Sequence, residues 1–507
     1  MGSLDDTGTA LTTDVPRLQR TTRGALALMM AALLAAHVGS PDVYWSGKAG
    51  PYAIDVVIRP PQVVPGIAEI LVRAPGAGIE RVTVRPVYWR AGSRGAPSAD
   101  DAKRVEQTAD MYAGRLWLMA GGSYSVHVGV EGRAGRGVAV VPVAAVATGQ
   151  LQLSGGLRAL LVLLGTLLIA GIITAVHAAV GESQVPPGEA VPPVRRRRAR
   201  VAATIAAAIV TLLVLGGAKW WNAEARAYAS TLYMPMRTQV FVDDSAGAPT
   251  ITLRVVDTNF REGRVSALMP DHGKIAHLFL ARVDSDGVLA HLHPEQVAFE
   301  TLRGPLPPLP AGRYRLFADV VHESGFQRTF VDSLALAAPL AASATHLDRD
   351  DAWYTGPLTA VSSAAPLGDR ITLSWVGDSQ PVVGRTGALR FALRQPSGAP
   401  VMVEPYLGMA GHAVVIRDDG KVYVHLHPSG TSAMASALAF TLRDRGDTMP
   451  DGRLRIAAGE MGMTPTQPLR AISFPYAFPS PGRYRVWVQL RVRDSVRTAG
   501  FEVAVKR

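Results

Sequence analysis

The pattern of apolar and polar positions changes character several times along the chain. Near the start, residues 25–36 form an unbroken run of small and apolar side chains behind Arg17, Arg20 and Arg23. That run is shorter than the roughly 20 residues a spanning helix needs. A basic flank, a short apolar stretch and then small residues predict a signal peptide over 1–36 or, uncleaved, an N-terminal anchor. Residues 157–180 and 201–218 are also predominantly apolar, and both are long enough to span a bilayer. Elsewhere the pattern has period two. Ile54, Val56 and Ile58 alternate with less apolar neighbours, and prolines and glycines punctuate similar short runs. This predicts β-sandwich lobes at 37–156, 222–336 and 370–507, with a linker rich in Ala, Ser and Pro at 337–369.

Charge refines the membrane assignment. The chain of 507 residues carries a net charge of +11, and Arg195, Arg196, Arg197, Arg198 and Arg200 lie together between the two apolar spans. A basic balance ordinarily raises nucleic acid as a partner. Here the positive-inside rule explains it: 181–200 is expected as a cytoplasmic basic loop, with Trp220 and Trp221 at the membrane interface. The bulk of the chain then lies in the periplasm or outside the cell, tethered to the cytoplasmic membrane by a two-span hairpin, and no nucleic-acid partner is expected. The absence of cysteine excludes disulfides, thiolate zinc sites, iron–sulfur clusters and cysteine nucleophiles. No Gly-x-Ser-x-Gly, phosphate-cradling loop or convincing Ser–His–Asp set is present, so an enzyme is not the expectation.

Two segments repeat each other. HLFLARVDSDGVLAHLHPE (277–295) is matched by HAVVIRDDGKVYVHLHPSG (412–430), and AGRYRLFADV (311–320) by PGRYRVWVQL (481–490), in the same order. Each copy holds a lone histidine, an Asp/Gly turn and then His-x-His-Pro. In the second copy, a tight turn at Asp419 and Gly420 sets His412 opposite His427, with His425 on the same face. In the first copy, a three-residue loop ending at Gly287 pairs Asp284 with Val288 and sets His277 opposite Glu295, one same-face step from His293, with His291 in phase. Opposed strand residues have Cβ atoms about 4.5–5.5 Å apart, a spacing that lets imidazoles converge on one ion. His272 and His322 are further candidates in the first copy; the position aligned with His322 in the second is Val492.

Three imidazoles suit copper, zinc or nickel, and thioether neighbours favour copper. Met269 precedes the first cluster, and Met409, Met461 and Met463 accompany the second. Copper is the expected ion, with zinc as the alternative. His-Leu-His-Pro behind a glycine turn, together with the Gly-Arg-Tyr-Arg strand, resembles the YtkA-like and CopC-like immunoglobulin-type domains of bacterial exported proteins, and 58–73 is similar to the same class. The resemblance covers the three exported lobes and leaves out the helical hairpin. It implies a mainly β fold, three immunoglobulin-like β-sandwich lobes plus an α-helical transmembrane hairpin. It further implies periplasmic copper binding for delivery or tolerance through His277, His291, His293, His412, His425 and His427, with a copper-accepting protein as a possible partner. Cleavage after Ala36 would also make His37 an amino-terminal copper ligand, as in CopC-like proteins, with His127 as a third donor. The alternatives are a metal-free scaffold in a membrane complex and, further off, an extracytoplasmic copper enzyme.

Overall fold

The computed structural model describes residues 42–507 except 77, 107, 109, 245–247, 284–286, 342–346, 458–461 and 463. It is mainly β, built from antiparallel sheets, with two long apolar helices. Two compact units separate. One holds the β lobes (up to Pro60, Ile67–Ala145 and Met234–Arg507), and the other holds Pro61–Gly66 and Val146–Tyr233.

In the smaller unit, helices Gly155–Glu182 and Pro193–Ala229 are long and apolar enough to cross a membrane. Their leucines, isoleucines and valines point outward rather than into a protein core. Ser154 starts the first helix, its Oγ accepting from the Leu157 amide. The second begins at Pro193, whose fixed φ suits a first helical position. The arginine run, expected in a loop, therefore lies in the opening turns of this helix, because arginine is itself a good helix former.

In the larger unit, the first lobe pairs a five-stranded sheet with a four-stranded one. The alternation expected at Tyr52–Arg59 is present: Ile54, Val56 and Ile58 are buried, as are Val82, Val84, Val126 and Val128 from the other sheet. Each repeat likewise places two sheets around one core. In the first, the sheet order is Leu268–Met269, Gly312–His322, Ala276–Arg282, Leu289–Leu292, Ala352–Tyr354. In the second, it is Thr359–Ala360, Ser495–Val505, Gly482–Val492, His412–Arg417, Tyr423–Leu426. The stretch expected as a linker is woven into both: Ala352–Tyr354 extends the first repeat's sheet beside Leu289–Leu292, and Thr359–Ala360 runs parallel to Ser495–Val505.

The repeats bury both faces of their central strands. Ala276, Leu278 and Leu280 point into the first repeat's core. The intervening Phe279 and Ala281, with Leu289 and Phe317, meet Val414, Ile416, Tyr423 and Trp487 of the second repeat. Phe317 and Tyr423 stack at 4.2 Å between centroids, and Trp487 Nε1–H donates to the Gly287 carbonyl across the contact. The histidines occupy this same inter-repeat face.

The insertion peculiar to the second repeat contains a helix, Met434–Arg445, closed by Gly446 in the left-handed conformation. No side chain of its own caps its start. Asp271 of the first repeat does so, its carboxylate accepting from the Ala435 amide at 2.9 Å. The first lobe grips the turn after His427: Ser46 N–H donates to Ser429 O and Thr431 N–H to Tyr44 O. Gly430 is required there, since a Cβ would stand 1.8 Å from the Tyr44 carbonyl oxygen.

Candidate metal centre

The two hairpins have the same register. Val414 faces His425 and Ala413 faces Leu426, which sets His412 opposite His427 as the turn chemistry predicts. In the first repeat, Phe279 faces His291 and Leu278 faces Leu292, so His277 stands opposite His293. The expected pairing with Glu295 is wrong by two positions. The strand pairing closes in a different register from the expected one, Arg282 N–H donating to Val288 O. A two-residue slip preserves side-chain facing, so the histidines still share a surface.

His277, His291, His293, His412, His425 and His427 therefore all enter the interface between the repeats, and all are buried. Rings from one repeat touch rings from the other, His277 and His425 at 5.2 Å and His291 and His425 at 5.5 Å between centroids. His272 joins them from a turn, 5.7 Å from His412 and 5.2 Å from His427. Two groups have nitrogens close enough to hold one ion each: His277, His291 and His293, and His272, His412 and His427.

Hydrogen bonds fix the tautomers of the first group. His277 Nε2 lies 3.3 Å from the Asp271 carbonyl, which can only accept, so Nε2 carries the proton. His291 Nδ1–H donates to Gln489 Oε1 at 2.8 Å; the amide's orientation is set by Nε2–H donating to Thr498. Tyr406 Oη, whose own proton goes to the Asp350 carbonyl, also lies 3.1 Å from His291 Nδ1. His293 Nδ1–H donates to Asp351 Oδ1, which also accepts the His293 amide. The remaining nitrogens, His277 Nδ1, His291 Nε2 and His293 Nε2, are all lone-pair donors. The first two are 3.2 Å apart with no proton between them, and the third is buried without a hydrogen-bond partner. Two nitrogens bound to one tetrahedral ion at about 2.0–2.1 Å stand about 3.3 Å apart.

The second group is held differently. His425 Nδ1 faces Asp319 at 3.6 Å, and its Nε2 lies 3.3 Å from His412 Nδ1. With the His425 proton toward the carboxylate, His412 Nδ1–H donates to His425 Nε2. That leaves His412 Nε2, buried and unpartnered, on the side available to His427 and His272. His425 is thus a positioning residue between the groups.

Burial holds all six hairpin rings below the ordinary histidine range, His293 down to about 3 and His427 to about 4, so they are neutral and able to bind metal. Burial also raises Asp319 to about 6 and, with Asp348 adding to it, Asp351 to about 7. His293, Asp348 and Asp351 form a third close group. It is less suited to a cation, because the Lys274 ammonium already sits 2.6 Å from Asp348 and 3.3 Å from Asp350.

Other expected ligands lie elsewhere. His322 stands outside both groups, its Nδ1–H donating to Ser266 O at 2.7 Å and its ring beside Phe260. Met269 fills a small core with Val321, Ala435 and Leu442, so its thioether serves packing. Met409 is buried in the turn where it pairs with Tyr406. His127 belongs to the first lobe, opposite Arg85 and Val140. His37, Met461 and Met463 fall outside the described residues.

The sequence reading missed Asp271, Asp319, Asp351, Tyr406 and Gln489. One signal was available. MPDHGKIAH (269–277) and EPYLGMAGH (404–412) align residue for residue, extending the duplication upstream. His272 and Leu407 both have positive φ, 54° and 49°, each followed by a left-handed glycine.

Residues 366–507, the second repeat, match the family model of a domain of unknown function, DUF8832. No curated protein matches the chain. Among solved structures, trypsin-activated alpha-2-macroglobulin from Escherichia coli aligns at 10% identity over 94% of this chain and 24% of that one, with a TM-score of 0.16. This chain thus spans about a quarter of that protein. The ICAM-5 D1–D4 ectodomain fragment aligns at 10% identity over 90% of this chain and 77% of that one, with a TM-score of 0.15. Scores this low carry no argument about fold or function.

Proposed function

We propose that this is a membrane-anchored, extracytoplasmic copper-binding protein that acts in copper delivery or tolerance. The observation that carries the proposal is the convergence of three unprotonated ring nitrogens, from His277, His291 and His293, in a buried pocket whose hydrogen bonds are all directed outward. Without an ion, His277 Nδ1 and His291 Nε2 would face each other lone pair to lone pair. With one, each ring is a ligand backed by an oriented partner, the usual construction of a histidine metal site. Affinity for an all-imidazole donor set rises along the first-row divalent metals to a maximum at copper, with zinc behind it. The lobes are immunoglobulin-like sandwiches of the exported type, and the arginine-rich start of the second long helix faces the cytoplasm.

The test uses the full chain in detergent, stripped of metal, loaded with copper and desalted. It is expected to retain copper, with X-ray absorption reporting nitrogen ligands near 2.0 Å. His277→Ala with His291→Ala is expected to remove the ion held by the first group and so lower the amount of copper retained. Retention of neither copper nor zinc by the folded wild-type chain overturns the proposal.

A further inference from the structure

The duplicated hairpins need not form duplicate sites, and here they do not. The first group comes wholly from the first repeat. The equivalent three of the second repeat are His412, His425 and His427, yet the group with converging nitrogens is His272, His412 and His427. His425 is occupied with His412 and Asp319. Its place is taken by a histidine from the other repeat.

The substitution is built into the backbone. His272 sits at φ 54°, a conformation uncommon outside glycine although histidine is among the residues that adopt it. Its turn is closed by reciprocal hydrogen bonds between Asp271 and Lys274, and it is tied to the insertion helix by the Asp271 carboxylate. The matching turn in the second repeat has the same shape but carries Leu407. The first repeat thus contributes a seventh imidazole that the second does not return.

We infer that the protein holds two metal ions in one centre at the repeat interface, the second on His272, His412 and His427 and therefore formed only when both repeats contribute. This inference rests on the copper-binding reading above. The rings of the two groups approach within 6.4 Å (His272 to His277) and 6.2 Å (His291 to His412), and His425 contacts both. Two paramagnetic ions held this way would be magnetically coupled.

The full chain in detergent, loaded with Cu(II) and desalted, is expected to carry two copper ions. Its electron paramagnetic resonance spectrum should be broadened and show a half-field transition. His272→Leu introduces the residue that the matching turn already accommodates. It should lower the content to one copper and remove the half-field signal. His272→Asn, which also tolerates positive φ, should do the same and guards against a folding defect in the leucine variant. His293→Asn should likewise leave one copper, on the other group. A wild-type chain that saturates at one copper overturns the inference but not the copper-binding reading, as do His272 variants that still hold two. A chain that holds none overturns both.

Discussion

At the scale of single residues, the centre is a set of donors whose protons have been assigned by distant partners. In each repeat the long strand sends one residue across the interface to the first histidine of the other repeat's His-x-His. Gln489 reaches His291 and Asp319 approaches His425, and these two occupy equivalent positions, seven residues after Gly482 and Gly312. Gln489→Leu removes the acceptor that keeps the His291 proton on Nδ1. Copper affinity of the first group is expected to fall about 10–100-fold, the usual cost of losing an outer partner. Competition with a chromophoric chelator measures it, and unchanged affinity would contradict the assignment. The six hairpin histidines were legible in the sequence because their pattern is local: a turn, an alternation and a repeat. Their partners were not, because Asp351 meets His293 across 58 positions, Tyr406 meets His291 across 115 and Gln489 across 198. Methionine misled for a related reason. A thioether near a histidine in sequence says nothing of whether it faces an ion or a core, and Met269 faces a core.

At the scale of elements, alternation identified the strands but understated their burial. Ala276–Arg282 is buried along nearly its whole length. Its composition, apolar at successive positions, is that of a strand covered on both sides. The register of the second hairpin followed from Asp-Gly, whereas that of the first slipped by two because its connection carries no single turn signature. The spans at 157–180 and 201–218 were recognisable as helices, but their ends were not, since apolar length does not report where helix formers such as arginine prolong a helix. The inter-repeat contact gives an element-scale prediction. Trp487 is fully buried and donates to Gly287 O. Trp487→Ala is expected to cost about 3–5 kcal/mol through the cavity left behind. It should lower the denaturation midpoint of the metal-free chain clearly, and a shift equivalent to less than about 1 kcal/mol would mean that this contact contributes little.

At the scale of the whole molecule, two helices suited to a bilayer interrupt a chain that is otherwise mainly β. The proposed orientation is directly testable because the protein has no cysteine, so any introduced thiol is unique. A membrane-impermeant thiol reagent should label Ser397→Cys, exposed in the second repeat, in cells whose outer barrier is permeable to it. It should label Glu189→Cys, in the connection between the long helices, only after the inner membrane is opened. The reverse pattern would invert the topology. The two apolar helices were readable from composition, while the joining of two repeats through one shared face was not, because no sequence pattern names the partner of a second buried face.

The buried carboxylates beside the rings have an electrical consequence. Asp351 borders the first group through His293, and Asp271 borders the second beside His272. Burial raises Asp351 to about 7, so it is only partly ionised at neutral pH, and with Asp271 it supplies at most two negative charges. Two divalent ions would leave surplus positive charge in a desolvated interior, where an uncompensated ion costs several kcal/mol. Were copper the bound ion, a centre loaded with Cu(II) would on this balance accept an electron from an added reductant more readily than hydrated Cu(II) does.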